Sequence, residues 1–275
     1  MGKSPIIITG ANGSIGFEAT RGMLKRGKSV IMACRNIEKA VPLKHKLEEE
    51  FPQSHILLKK IDLSDFQSVI KFANELKAEE IKPSGLLNNA GIINREFSLT
   101  ADGYENSIQV NFLSVALLIN ILTPIMQPKS VIVNTISVTR KLSEINKNIF
   151  IADKNKFRQL GTYSESKLAL LYYTAQLASR KCNDFRINAT DPGIVDSDMI
   201  TMGRWYDPLA DIFFRPFIKS PAEGARPAIN ALLSDNSMQV FFNGSSKKIS
   251  EKYYKNKNSI WLWYQTNDII KDILS

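Results

Sequence analysis

A β-branched run at residues 5–9 leads into Thr9-Gly10-Ala11-Asn12-Gly13-Ser14-Ile15-Gly16, and helix-forming residues follow as far as Arg26. No other stretch of the 275 residues constrains the fold so strongly. Strand, tight turn and helix in that order bring a helix N-terminus, with its unpaired N–H groups and positive dipole end, to the carboxyl end of a buried strand. Glycine lets the main chain come close to an anion there, so the unit predicts a seat for a dinucleotide pyrophosphate. A glycine pattern alone can also be only a tight turn, and the rest of the chain must decide.

Strand-like and helix-like patterns go on alternating to Phe242 without a Pro/Gly/Ser linker, a low-complexity tract or an internal repeat. Such βαβ alternation predicts an α/β fold with a doubly wound parallel sheet and a cofactor at the carboxyl ends of its strands. One domain is expected over 1–275, near the size at which a single core stops growing. Within it, a flap is expected at about 198–217 and a C-terminal extension at about 244–275. A helix starting at Ser64 is expected to carry a capping box with Gln67.

The second strand, residues 29–33, ends in Cys34-Arg35-Asn36. A ribose 2′-hydroxyl calls for a carboxylate at this point, whereas a 2′-phosphate needs a cation. Arg35 with Asn36 therefore points to NADP(H).

Tyr163-Ser164-Glu165-Ser166-Lys167 brings the chemistry. On a helix over 163–180, positions i and i+4 share a face, so phenol and amine point the same way. A free tyrosine ionises near pH ~10, and bringing it to about 7 for general acid/base work takes roughly 4 kcal/mol in favour of the phenolate. One cation about 4 Å away in a partly dry site supplies energy of that order. Tyr-x-x-x-Lys alone recurs by chance, so its neighbours carry the weight.

Together these pieces resemble the short-chain dehydrogenase/reductase family, and the match runs through nearly the whole chain. The resemblance implies a Rossmann-type sheet of order 3-2-1-4-5-6-7. It places Gly10, Asn12, Gly13, Ser14, Ile15 and Gly16 at the phosphates, Asp62 and Leu63 at adenine, and Asn89-Ala90-Gly91 (closing Asn88-Asn89-Ala90-Gly91) beside the cofactor. Pro192, Gly193 and Ile194, within Asp191-Pro192-Gly193-Ile194-Val195, would hold the nicotinamide carboxamide with Ser197. Ser137 would bind the substrate oxygen, Tyr163 would be the acid/base, Lys167 would tune it and hold the nicotinamide ribose, and Asn111 would support a water-borne proton relay. Closer similarity is to the retinol dehydrogenase and protochlorophyllide reductase side of the family, through Val30-Ile31-Met32-Ala33-Cys34-Arg35-Asn36 and the long stretch between Ser137 and Tyr163. One departure is the turn itself: that subgroup has T-G-x-x-x-G-x-G, but Thr9 onward reads T-G-x-x-G-x-x-G, the spacing of the sugar-nucleotide-modifying branch.

The activity implied is NADP(H)-dependent interconversion of a hydrophobic ketone or aldehyde with its alcohol. A non-catalytic dinucleotide-binding regulator and a nucleotide-sugar epimerase are the alternatives. An apolar, aromatic segment with Met199, Trp205, Tyr206 and Phe213 suggests an oily carbonyl or alcohol substrate, and reads equally as a packing helix. The resemblance also implies a homodimer or homotetramer paired through helices at 103–122 and 163–180.

A net charge of +9, with Lys247, Lys248, Lys252, Lys255 and Lys257 close together, invites a nucleic-acid reading. No recognition module surrounds them, and a solvated face with a field that attracts an anionic dinucleotide is expected instead, with no nucleic-acid partner. Cys34 and Cys182 are too few for a disulfide framework, which fits a reducing, cytoplasmic setting. His45 and His55 lack companions at ligand spacing, so no metal site is expected. The most apolar stretch, residues 115–126, falls short of the ~18 residues that span a bilayer, so no membrane span is expected.

Overall fold

A computed structural model describes residues 4–181, 183–195 and 219–275. The expected Ser197 contact, the 198–217 flap and Cys182 lie outside the described residues.

Eight strands form one sheet in the order β3-β2-β1-β4-β5-β6-β7-β8. They are β1 (Ile6–Thr9), β2 (Val30–Cys34), β3 (Ile56–Lys60), β4 (Gly85–Asn88), β5 (Val131–Thr135), β6 (Arg186–Thr190), β7 (Gln239–Phe242) and β8 (Ser245–Lys248). The first seven pair in parallel, and β8 alone runs antiparallel to β7. The expected 3-2-1-4-5-6-7 order is present. Strands covered on both faces read as unbroken apolar runs, as Val30-Ile31-Met32-Ala33-Cys34 does with every residue buried. At the edges the sequence turns polar: β3 ends Lys59-Lys60, and β8 is Ser245-Ser246-Lys247-Lys248, exposed throughout. Charged edges discourage pairing with another chain.

Helices cover both faces. On one lie α1 (Ser14–Leu24), α2 (Ile37–Glu50) and α7 (Pro221–Leu233). On the other lie α3 (Phe66–Ala78), α5 (Ser114–Leu122), α6 (Gln159–Lys181) and α8 (Lys257–Leu274). A short α4 (Asn106–Ile108) and a π-helical turn (Gln109–Leu113) run into α5 without a break. The continuous helix from Asn106 to Ile125 is 20 residues with a mean hydropathy of 1.8, long and apolar enough to cross a bilayer by length and composition. That differs from the expectation, because the helix starts well before residue 115. It is mostly buried within the fold, as a core helix is.

The expected capping box at Ser64 is not formed. The Ser64 hydroxyl donates to Asp62 Oδ1 at 2.6 Å, and α3 starts two residues later with Asp65 as its N-cap, accepting from Gln67 N at 2.9 Å. Asp62 outcompetes the helix for the Ser64 side chain, and Asp65 is as good a cap as serine. A reciprocal capping box does start α7, between Ser220 and Glu223.

The C-terminal extension packs on α6. Trp263 stacks on Tyr173 with ring centroids 5.0 Å apart, and Gln176 Nε2 donates to Tyr254 O and Ser259 Oγ, each at 2.8 Å.

Candidate functional site

In a parallel sheet every strand delivers its C-terminal turn to one edge, and the chain reverses its direction of strand addition between β1 and β4. A crevice opens at such a switch point. The expected site residues among those described fall on turns along this edge or on the helices beside it.

The β1 turn is shaped by its backbone. Gly10 has φ +63°, and a Cβ there would sit 3.0 Å from the Ala90 Cα. At Gly16 an added Cβ would lie 2.2 Å from the Gly10 carbonyl oxygen and 2.8 Å from Asn89 Nδ2. Gly13 N donates to Gly10 O at 3.0 Å and stands at the N-cap of α1, where no side chain caps the helix. Ser14 is the first helical residue, so the T-G-x-x-G-x-x-G spacing still ends in a tight turn on an open helix N-terminus. An uncapped helix N-terminus at the carboxyl end of a strand suits a pyrophosphate. Asn12 and Ala11 donate backbone hydrogen bonds to the buried Cys34 sulfur, and Ile15 packs on the core beneath. Burial pushes the Cys34 thiol up to about 11, making it a structural, unreactive group.

Thr9 ties this turn to the β4 turn. Its Oγ1 accepts from Asn89 N at 3.0 Å and from Ala90 N at 3.1 Å, while Asn89 Nδ2 donates to Thr9 O at 3.1 Å. Arg35, after β2, is exposed. Asn36 caps α2 through Lys39 N at 2.7 Å, which occupies one oxygen lone pair and leaves its amide donors for other partners. Asp62 is held by Ser64, and the Leu63 carbonyl accepts from Ser114 Oγ at 2.6 Å.

The chemical groups gather at the β5 turn. Tyr163 and Lys167 lie on one face of α6, with the Lys167 ammonium 5.9 Å from the Tyr163 ring centre. Lys167 Nζ donates to Thr135 O at 2.9 Å, and its side chain is buried. Ser137 starts the turn after β5, and its hydroxyl faces the Tyr163 phenol and pulls the phenol pKa down. Asn111 sits in the π turn, fully buried. Its Oδ1 accepts from Ile92 N at 2.8 Å, and its Nδ2 donates to Ile92 O at 2.9 Å and Ser166 Oγ at 3.0 Å. Both amide protons are therefore committed, and one Oδ1 lone pair remains. Gly91 passes against the Asn111 amide and the Lys167 amine.

The electrostatics depart from the sequence expectation in one respect. Desolvation raises the Tyr163 phenol above its ordinary value, with the nearby Asp191 carboxylate adding to the rise. Burial lowers the Lys167 amine to about 8. Burial of the phenol is the largest influence on its pKa in the free protein, so the group stands above its ordinary value.

Beyond β6, Gly193 takes φ +77° and donates its N–H to Asp191 Oδ1 at 3.1 Å. Lys219 Nζ donates to Pro192 O at 3.1 Å, and Ile194 O accepts from Lys219 N at 3.0 Å. Two features here escaped the sequence reading. Arg140, three residues after Ser137, forms a salt bridge with Asp191 at 2.6 Å. The π turn that seats Asn111 has no signature in residue type. Among the described residues no cluster of three His, Cys, Asp or Glu side chains is placed to hold a metal.

Known proteins resemble this chain over most of its length. Bovine retinol dehydrogenase 12 is 33% identical over 266 residues, covering 94% of this chain and 83% of its own length. Mouse retinol dehydrogenase 11 is 32% identical over 272 residues, covering 96% and 81%. Among solved structures, a protein from Mycobacterium paratuberculosis superposes with a TM-score of 0.78 at 24% identity, covering 98% of this chain and 94% of that one. A short chain dehydrogenase from Shigella flexneri, solved with NADP, gives 0.68 at 21% identity over 86% and 95%. The model of the short chain dehydrogenase family matches residues 4–204, and with the fold and the Tyr163, Lys167 and Ser137 cluster already in place, this chain belongs to that family.

Proposed function

We propose that this protein is an NADP(H)-dependent oxidoreductase that interconverts an apolar aldehyde or ketone with its alcohol. The observation that carries the reading is the convergence of Tyr163, Ser137 and Lys167 on one sheet edge beside the glycine cradle.

The phosphates would rest on the turn from Gly10 to Gly16 and the uncapped start of α1. Arg35 and Asn36 would hold a 2′-phosphate, Asp62 and Leu63 the adenine, Asn89 to Gly91 the wall beside it, and Pro192 to Ile194 with Ser197 the carboxamide. The bound nicotinamide supplies or accepts the hydride. In the reducing direction Ser137 orients the carbonyl oxygen and the Tyr163 phenol gives it a proton. The phenolate left behind is stabilised by the Lys167 ammonium, which is largely charged at neutral pH with a pKa of about 8. Asn111 keeps one acceptor lone pair for a water that returns the proton.

An apolar substrate is supported by Val138, Leu142, Leu160 and Ile194, each more than a third exposed, on the segments that carry Ser137, Tyr163 and Gly193. The retinol dehydrogenases at 33% and 32% identity support the same substrate class. The cofactor reading rests on Arg35, with fold-level support from the NADP-bound Shigella relative.

The test is NADPH consumption over a panel of aliphatic, aromatic, steroidal and retinoid carbonyls, for the parent chain and for Tyr163→Phe. Turnover of apolar members by the parent and none by the variant is expected. A panel without turnover, or an equally active variant, would overturn the reading.

A further inference from the structure

The turns after β5 and β6 are joined by one nearly buried ion pair. Arg140 Nη1 donates to Asp191 Oδ2 at 2.6 Å and to the Ser137 carbonyl oxygen at 2.6 Å. The two side chains are 11% and 10% exposed. The other carboxylate oxygen of Asp191 accepts from Gly193 N at 3.1 Å. One guanidinium therefore fixes the main chain at Ser137 and, through Asp191, the Pro192-Gly193 turn. A pair this buried contributes little net stability, since desolvation cancels most of its attraction, and so it invites a role beyond holding the fold.

Asp191 also acts on the chemical groups. Its charge disfavours the Tyr163 phenolate and favours the Lys167 ammonium. Among the described residues, the charged and titratable groups around this carboxylate are Arg140 from the β5 turn, Tyr163 and Lys167 from α6, and Lys219, whose amine is spent on Pro192 O and the Asn243 side chain. Arg140 is the one among them in direct ion-pair contact.

We propose that Arg140 is a positioning residue: by pairing with Asp191 it screens the Tyr163 phenol from that carboxylate and keeps Ser137 in register with the Pro192-Gly193 turn. The proposal rests on the reading of Tyr163 as general acid/base.

The experiment is the pH profile of kcat for carbonyl reduction with NADPH, for the parent, Arg140→Gln, Arg140→Lys, Asp191→Asn and the Arg140→Gln/Asp191→Asn double variant. Reduction needs the protonated phenol, so activity falls as pH rises through its pKa. In Arg140→Gln the carboxylate is unscreened, and that limb moves to higher pH by about one unit. In Asp191→Asn the guanidinium is unopposed, and the limb moves to lower pH. The double variant returns close to the parent, and Arg140→Lys, which keeps the charge, holds the parent position. In the single variants kcat falls, and the NADPH KM rises to a smaller extent because the Pro192-Gly193 turn is released. Single variants that lose thermal stability and kcat with the limb unmoved would make Arg140 merely structural and overturn the proposal. If Arg140→Gln does not fold, the double variant is compared with Asp191→Asn: a lower limb in Asp191→Asn is expected, and equal limbs in the two would overturn the proposal. Turnover retained by Tyr163→Phe would instead overturn the reading beneath, and the proposal with it.

Discussion

Gly16→Ala tests whether the β1 turn is packed as tightly as its geometry implies. The added methyl would stand 2.2 Å from the Gly10 carbonyl oxygen and 2.9 Å from the Ala11 Cα, both main-chain atoms that cannot rotate aside. Relief requires α1 to move away from the turn, or Gly10 to leave its φ of +63°. Overpacking of this kind costs about 1–3 kcal/mol, and for a domain of this size that lowers Tm by roughly 2–10 °C. The same displacement shifts the uncapped N–H groups of α1, so NADPH affinity is expected to fall about tenfold or more, the equivalent of ~1.4 kcal/mol. Gly13→Ala is the internal control: its Cβ meets only Gly10 O, at 3.4 Å, an ordinary contact. Its cost in the free protein is about 0.5–1 kcal/mol, from replacing glycine at an N-cap. Differential scanning fluorimetry with and without NADPH reads both quantities. A Gly16→Ala protein within 1 °C of the parent and with unaltered NADPH affinity would refute the packing argument.

Two further perturbations read the site's charges. Arg35→Asp is expected to lower the preference for NADPH over NADH at least tenfold, because a carboxylate repels the 2′-phosphate and suits the 2′-hydroxyl; an unchanged ratio of kcat/KM values would remove Arg35 from that role. Lys167 is lowered to about 8 in the fold, while an unfolded lysine stays protonated to about 10.4. Above about pH 8 the unfolded chain therefore binds more protons at this position, and the parent gains stability relative to Lys167→Met by up to about 1.4 kcal/mol per pH unit. The Cys34 thiol, raised to about 11, opposes the gain above about pH 9 but cancels in the difference between the two proteins. Denaturant titrations from about pH 7 to 9 check this, and a pH-independent difference would contradict a desolvated Lys167.

The parts of the fold that were legible are those in which local pattern and tertiary role coincide. The buried run at β2, the glycine turn and the i, i+4 spacing of Tyr163 and Lys167 each carry their structural meaning in residue type and interval. The eighth strand was missed because Ser245 to Lys248 has no apolar alternation, although Asn243-Gly244, with φ of 41° and 76°, is a two-residue hairpin turn visible in the sequence. The cap of α3 was misplaced by one residue because Asp62 and Asp65 both compete for local hydrogen bonds, and only the folded chain shows which partner Ser64 takes. The Arg140 and Asp191 pair spans 51 positions, and the π turn under Asn111 is a local packing adjustment; no spacing announces either. The raised pKa of the Tyr163 phenol has the same origin. Lysine i+4 from tyrosine says that the two share a face, but the depth of burial that raises the phenol is a tertiary quantity.

Every other role at the site serves a Tyr163 that gives and takes the proton. Steady-state reduction of the best carbonyl of the panel, measured for the parent and for Tyr163→Phe alongside NADPH binding by fluorescence, tests it most directly. The expected result is a loss of about two to four orders of magnitude in kcat, the usual contribution of a positioned acid, with the NADPH Kd little changed. A Tyr163→Phe protein that binds NADPH and turns over within a few-fold of the parent would contradict it.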